Sequence, residues 1–116
     1  MKRKTKKAFA KKKKDFRYYK VEVINEKGNK HSIWHPSYIF LEKGNTYIFV
    51  TITHSNKIEN EIVIELKRNP NPKDNRKAYW VARIKCDTKD RFTRRRNGWS
   101  IDEGDDQMIR DEYKKR

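Results

Sequence analysis

The chain has 116 residues, the length of one small domain, and carries 31 Lys and Arg against 16 Asp and Glu. A formal net charge of +15 makes a polyanion the first partner to expect, and only 34% hydrophobic residues exclude a large second domain. Cys86 is the only cysteine, which excludes an internal disulfide and a cysteine-based zinc module. No apolar run reaches the roughly 18 residues that span a bilayer, and no signal peptide is recognisable. We therefore expect a cytoplasmic protein with no membrane partner.

Most of the excess positive charge lies at the N-terminus, where residues 1–20 hold 11 Lys and Arg and one acid, Asp15. Like charges at this density repel one another and oppose packing, which predicts a disordered basic arm over residues 1–15. This basic arm is either a solubilising tail or a nonspecific binder of phosphates. In the second interpretation its contacts would come from Lys11, Lys12, Lys13 and Lys14.

Alternating hydrophobic residues predict about five β-strands between residues 17 and 85. The alternation begins at Tyr19, a turn follows at residues 26–29, and Pro36 is expected to interrupt any strand ladder. Gly44 and Asn45 tolerate positive φ and predict a hairpin between two further strands. In the second of these, residues 46–53, one face holds Ile48, Val50 and Ile52, and the other holds Tyr47, Phe49, Thr51 and Thr53. The remaining strands are predicted around residues 62–66 and 78–85.

The pattern changes after Cys86. Asp87 and Thr88 are expected to cap a short helix, and Ser100 with Glu103 matches the capping box of a terminal helix. The fold class we predict is mainly β (α+β), since about five short strands in so few residues favour a small barrel that hides its strand edges. The predicted parts are the basic arm at 1–15, a highly curved five-stranded SH3-like or OB-like barrel at 16–86, and one or two short helices packed on it at 87–116.

A cluster of polar side chains follows the strand that ends at Thr53. The hydroxyls of Thr53 and Ser55 can hydrogen-bond a phosphate oxygen, His54 can move a proton near neutral pH, and Lys57 can stabilise developing negative charge. The alternative is that these residues satisfy backbone groups where a loop begins. The acids form no carboxylate cluster for catalytic metals, so we expect no metal and no cofactor, and any nuclease activity would be metal-independent.

A second basic cluster lies before the terminal helix and consists of Arg91, Arg94, Arg95 and Arg96, interleaved with Phe92 and followed by Trp99. Arginine binds phosphate bidentately and aromatic rings stack on bases, which indicates nucleic-acid binding. The alternatives are a solvated helix face and pairing with the acidic stretch at 102–106. Among the many large aromatics we expect Tyr47 and Trp80 on a sheet surface, where they would stack on unpaired bases.

Residues 38–57, from Tyr38 to Lys57, resemble the central hairpin of endoribonuclease toxins with SH3-like barrels, the MazF/PemK toxins and the related ToxN-type toxins of phage-defence systems. In that family a hydrophobic strand ends in a Thr-Ser element followed by basic residues, although here His54 separates Thr53 from Ser55. The resemblance implies metal-independent cleavage of single-stranded RNA that leaves a cyclic phosphate. It also implies Thr53, Ser55 and Lys57 as active-site residues and a neutralising antitoxin as a partner.

Three functions are therefore compatible with the sequence. The first is RNA binding, favoured over DNA binding, with toxin-like cleavage of the RNA. The second is a non-catalytic nucleic-acid-binding module that serves a phage or mobile element. The third is an adaptor that binds another protein, with the basic arm acting only through its charge.

Overall fold

The computed structural model describes residues 10–115, so most of the predicted basic arm, residues 1–9, lies outside the described residues. Lys11 to Asp15, which we predicted in that arm, instead form the start of the first strand. The charges of Lys13 and Lys14 are balanced by acids from distant parts of the sequence. Lys13 lies 3.1 Å from the Glu42 carboxylate, and Lys14 lies 2.7 Å from Glu103.

The described residues form six strands, one 3₁₀ turn and one α-helix. The strands are β1 (Lys11–Ile24), β2 (Lys30–Lys43), β3 (Thr46–Thr53), β4 (Val63–Glu65), β5 (Tyr79–Val81) and β6 (Lys85–Thr88). The 3₁₀ turn spans Lys89–Arg91 and the helix, α1, spans Glu103–Lys114. The prediction of a mainly β fold is confirmed, and the strands make one open antiparallel sheet in the order β1-β2-β3-β5-β4, with β6 also pairing with β3.

The sequence between 78 and 88 forms two strands where we predicted one. Both β5 and β6 pair with the same edge of β3, with Trp80 opposite Ile52 and Cys86 opposite Ile48. Trp80 and Cys86 lie six positions apart in the chain, whereas their partners Ile52 and Ile48 lie four apart along β3, so the chain between β5 and β6 is two residues longer than the stretch of β3 that it faces. The strand count therefore rises from five to six.

The sheet buries apolar side chains on both faces. On one face the larger cluster includes Tyr38, Phe40, Val50 and Trp80, packed against Ile109 of α1. The other face holds a smaller cluster of Ile39, Tyr47 and Phe49, joined by Tyr19 and Phe92. The predicted alternation in β3 is confirmed, since its two faces belong to the two clusters.

The segment between the 3₁₀ turn and α1 runs along the outer edge of β1. Thr93 N–H donates to the carbonyl of Tyr18 at 3.0 Å, and Arg96 N–H donates to the carbonyl of Phe16 at 2.7 Å. The Thr93 hydroxyl also accepts from the backbone N–H of Tyr18 at 3.0 Å. These bonds satisfy β1 backbone groups that no neighbouring strand reaches, and they fix the position of the arginines that follow.

The hairpin of β1 and β2 continues beyond the rest of the sheet. Pairing of β2 with β3 begins at Ser37, whereas pairing of β2 with β1 extends out to Lys30 opposite Ile24. We call residues 20–35 the outer ribbon, and its β2 half, from Lys30 to His35, is exposed throughout. Its turn contains Gly28 with a φ of +83°, a left-handed conformation that glycine adopts without a steric cost.

The helix α1 begins differently from the capping box we predicted. The N-cap is Asp102, whose carboxylate accepts from the backbone N–H of Gly104 at 2.9 Å and of Asp105 at 3.3 Å, and Ser100 lies outside the helix. Among residues 10–115, no helix is long and apolar enough to cross a membrane.

Candidate nucleic-acid interface

Three consecutive arginines line an open pocket on the surface beside β1. The pocket has a volume of about 670 Å³. We call it the arginine pocket, and its lining consists of Tyr18, Thr93, Arg94, Arg95, Arg96 and Asn97. The three arginines are exposed, and no ion pair within the described part of the chain involves them.

The guanidinium of Arg96 is held between two aromatic rings. It lies 4.9 Å from the ring centre of Tyr18 and 5.9 Å from that of Trp99. The two rings pack edge to face at 6.3 Å. Contacts of this kind orient the arginine by cation–π attraction and leave its hydrogen-bond donors available, because neither ring can accept a strong hydrogen bond.

The acidic stretch at 102–106 does not pair with these arginines, which overturns one alternative considered from the sequence. Asp102 caps α1, and Glu103 pairs with Lys14. Asp105 accepts from the backbone N–H of Lys67 at 2.9 Å, and Asp106 accepts from Tyr38 and Arg110. Because the acids are engaged elsewhere, the positive potential of the arginine pocket is not reduced by direct contact with them.

Arg91, predicted to bind nucleic acid with the other three arginines, is instead occupied by contacts inside the protein. Its guanidinium donates to the carbonyl of Lys20 at 2.7 Å, lies 3.7 Å from the Asp87 carboxylate and sits over the ring of Tyr19. Burial and a hydrogen bond to Asp87 raise the pKa of Tyr19 to about 12, so its hydroxyl stays a neutral donor in this cluster. Arg91 therefore ties the base of the outer ribbon to the 3₁₀ turn.

Tyr47 and Trp80 are not available for stacking on bases, contrary to our prediction. Trp80 is 1% exposed in the larger cluster, and Tyr47 is 7% exposed beneath the cations of Lys13, Arg17 and Lys89. The sheet buries one cluster on each face, so more aromatic side chains find a place in the interior than one core could hold. The exposed aromatic surface comes instead from Trp34 in the outer ribbon, with Tyr18 and Trp99 partly exposed at the arginine pocket.

The predicted phosphate-binding lysines differ among themselves. Lys11 and Lys12 are exposed at the start of β1, and no ion pair in residues 10–115 involves them. Lys13 and Lys14 pair with Glu42 and Glu103, as described above. We therefore expect Lys11 and Lys12 to contribute more to the attraction of a polyanion than the other two.

The predicted catalytic residues lie in an exposed loop after β3, and their hydroxyls are occupied by the loop itself. Thr53 Oγ1 accepts from the backbone N–H of Ser55 at 3.1 Å. Ser55 Oγ donates to the carbonyl of Lys57 at 2.6 Å and accepts from its N–H at 3.2 Å. This is the arrangement typical of residues that shape a loop, as the alternative interpretation had it.

His54 makes contacts that the sequence did not indicate. Its Nε2 lies 3.2 Å from the carboxylate of Asp74, and its Nδ1 lies 3.2 Å from the carbonyl of Lys77. Both neighbours are acceptors, so both contacts are hydrogen bonds only when the ring carries two protons. Hydrogen bonds from Arg76 lower the pKa of Asp74 and keep this carboxylate charged. Asp74 and Arg76 lie some 20 positions along the chain from His54, in a loop rich in Asn and Pro whose sequence carried no signal of this pairing.

No group of three or more His, Cys, Asp or Glu side chains in residues 10–115 is arranged to hold a metal ion. Comparison with known proteins found no matching family model, no matching curated protein and no matching solved structure.

Proposed function

We propose that the protein binds single-stranded RNA at the arginine pocket. The observation that carries the proposal is the exposure of Arg94, Arg95 and Arg96 beside the rings of Tyr18 and Trp99, with no acid in contact with the three guanidinium groups. Guanidinium groups bind phosphate bidentately, and partly exposed rings stack on bases that a duplex would hide. The side-chain amide of Asn97 adds donors and an acceptor for a base edge or a ribose hydroxyl.

The test compares two triple variants that lose the same charge. R94A/R95A/R96A removes the pocket arginines, whereas K43A/K73A/K114A removes three exposed lysines that lie elsewhere on the surface. Affinity for an unstructured 12-nucleotide RNA is measured by fluorescence anisotropy. We expect the arginine variant to bind at least about tenfold more weakly, because one hydrogen bond between charged groups contributes about 1.5 kcal/mol.

The lysine variant controls for the effect of net charge, and we expect its affinity to change less than threefold. Equal losses in the two variants would mean that the protein binds through its overall charge alone. Unchanged binding by the arginine variant would overturn the arginine pocket as the interface. Competition with duplex RNA, single-stranded DNA and heparin distinguishes a preference for single-stranded RNA from a general affinity for polyanions.

The second candidate function is metal-independent cleavage of the bound RNA, and the contacts of His54 with Asp74 and Lys77 favour it. In this reaction the ribose 2′-oxygen forms a bond to the adjacent phosphorus and the bond to the 5′-oxygen breaks. The 2′-hydroxyl gives its proton to a water molecule and the leaving 5′-oxygen receives one, which leaves a 2′,3′-cyclic phosphate and a 5′-hydroxyl. His54, protonated on both ring nitrogens, is the proton donor to the 5′-oxygen, and Lys57 stabilises the negative charge on the non-bridging phosphate oxygens.

Incubation of end-labelled RNA with the protein in EDTA tests cleavage. We expect cyclic-phosphate products from the wild type and from H31A, a control histidine in the outer ribbon, and none from H54A. Intact RNA with the wild type would exclude the enzyme and leave a non-catalytic binding module. If RNA is not cleaved and RNA affinity is unchanged in every variant, neither surface binds RNA. This outcome would favour the protein-binding adaptor.

The proposal extends to the shape of the sheet. The pairing of β6 with β3 and the hydrogen bonds from Thr93 and Arg96 to β1 support a strongly curved, SH3-like arrangement. A toxin-like role would bring an acidic antitoxin as a partner, since the arginine pocket attracts carboxylates as well as phosphates. We also propose a cytoplasmic location, where RNA is abundant and the unpaired thiol of Cys86 stays reduced.

A further inference from the structure

One face of the outer ribbon continues the lining of the arginine pocket. Directly opposite residues of an antiparallel pair point to the same face, and along each strand the faces alternate. Tyr18 lies opposite Pro36, and the next pair on that face is Lys20 opposite Trp34. Since Tyr18 lines the arginine pocket, Trp34 is its diagonal neighbour across the ribbon, at a Cα separation of about 7–8 Å.

Trp34 is unusual among the tryptophans of the chain because it is 46% exposed, whereas Trp80 is buried in the larger cluster. Exposing this much indole surface to water is unfavourable, at about 25 cal/mol for each Å² of apolar area. The packing of the sheet does not require a tryptophan here, because the pairing of β2 with β3 ends at Ser37 and, in the described sheet, only β1 pairs with this part of β2. The ring therefore presents a free face at the side of the ribbon that meets the arginine pocket.

The charges along this face are predominantly positive. Lys20 is the cross-strand partner of Trp34, and Lys30, opposite Ile24, lies at the outer end of the same face. Glu22 is the one acid on it, and it lies 3.6 Å from Lys20 and within 3.4 Å of Ser32. From Tyr18 at the inner end to Ile24, the partner of Lys30, at the outer end the face runs six residues along β1, which corresponds to about 20 Å.

We infer that this face of the outer ribbon binds the continuation of the single-stranded RNA held in the arginine pocket, with Trp34 stacked on an unpaired base. The inference rests on the proposed function. A phosphate at the arginine pocket places the next nucleotides beside Tyr18 and Trp34, and the lysines of the ribbon neutralise the phosphates between them. The binding site is thereby extended from the pocket to a track several nucleotides long.

The opposite face of the same strand supplies a matched control. Ile33 lies opposite Val21, points away from Trp34 and is 37% exposed. In the 12-nucleotide anisotropy assay with the full chain, we expect W34A to bind about tenfold more weakly, because stacking on one base is worth about 1–3 kcal/mol. W34F should retain most of the affinity, and I33A should bind like the wild type.

Equal losses in W34A and I33A, or wild-type binding by W34A, would overturn the inference. If W34A instead changed the sedimentation coefficient without changing RNA affinity, this face would bind a second copy of the chain. Circular dichroism and thermal unfolding establish that each variant is folded. If R94A/R95A/R96A weakens RNA binding and W34A does not, only the inference fails. If neither variant changes RNA affinity, the proposed function is refuted as well.

Discussion

Three buried polar side chains connect the helix to the sheet. Asp106 accepts from the hydroxyl of Tyr38 at 2.6 Å and from Arg110 at 2.9 and 3.0 Å. The Arg110 guanidinium also donates to the carbonyls of Phe40 and Lys13, at 2.7 and 2.8 Å. Burial and the hydrogen bond to Asp106 raise the pKa of Tyr38 far above its ordinary value, so it remains a donor over the whole physiological range.

Replacing Asp106 with alanine is expected to destabilise the protein by about 3–5 kcal/mol, because the buried charge of Arg110 loses its partner. Urea denaturation followed by circular dichroism measures the change. D111A is the control, since Asp111 is an exposed acid on the same helix whose carboxylate bonds only to Gln107 among its described neighbours. A free energy of unfolding that falls equally in both variants would contradict this account of the network.

Individual residues show where sequence reasoning succeeds and where it fails. The alternation from Tyr47 to Ile52 predicts which side chains share a face, because the pleat of a strand fixes that relation locally. It does not predict that both faces are covered, since the cover comes from Phe92 and from α1, more than 40 positions later in the chain. The contacts of the predicted catalytic residues are equally non-local. The sequence pointed to His54 but not to its partner Asp74, which lies 20 positions later in the chain.

At the scale of elements, the start of α1 depends on the side chain of Asp102. Asp102 and Ser100 both have the chemistry of an N-cap, and the capping-box pattern alone favours Ser100. In the structure Asp102 accepts from two backbone N–H groups at the helix start, while the Ser100 hydroxyl accepts from Arg68 at 3.3 Å on an exposed surface. The capping-box pattern therefore places the N-cap at Ser100, two positions before Asp102, the residue that caps the helix.

Substitution distinguishes the two caps. We expect D102A to lose about 1 kcal/mol of stability, because the first-turn N–H groups lose their acceptor. S100A should change the free energy of unfolding by no more than about 0.5 kcal/mol, as is usual for an exposed residue. Thermal unfolding of both variants measures the difference, and a larger effect of S100A would mean that the helix starts earlier in solution.

Pro36 was expected to interrupt the strand ladder, yet β2 continues through it from Lys30 to Lys43. The reason lies in its partner. Tyr18 directs its backbone groups toward Thr93, away from β2, so the pair of Tyr18 and Pro36 exchanges no hydrogen bonds. Pro36 therefore directs its backbone nitrogen toward the β3 side, where the pairing of β2 with β3 has stopped at Ser37 opposite Thr51, so its missing N–H removes no bond from that pairing.

For the whole molecule, the dependence of RNA affinity on salt separates the contribution of residues 2–9 from that of the rest of the chain. Residues 2–9 hold five Lys and Arg and no acid. Deleting them should lower the slope of log affinity against log salt by at most about 3.5, at about 0.7 for each lost phosphate contact with a single strand. The proposed preference for single-stranded over duplex RNA should stay, because the deletion leaves the arginine pocket intact.

The deletion has to stop at residue 9. Extending it to residue 15 would remove the start of β1, including Asp15, which is 3% exposed and pairs with Arg17 at 2.9 Å. Anisotropy titrations at several salt concentrations, with the full chain as reference, give both slopes. Complete loss of RNA binding by the shortened chain would assign recognition to the N-terminus and contradict the role of the pocket.

The segment that carries the pocket arginines also covers the outer edge of β1, through the bonds from Thr93 and Arg96. An uncovered edge strand offers unpaired N–H and C=O groups to any other chain, and long exposed edges promote aggregation. The proposed RNA recognition and the cover of this strand edge therefore depend on the same stretch of backbone. Substitution of the pocket arginines by alanine leaves the backbone bonds to β1 in place, whereas a proline at position 93 or 96 would remove a bond to this edge and reduce the amount of soluble protein.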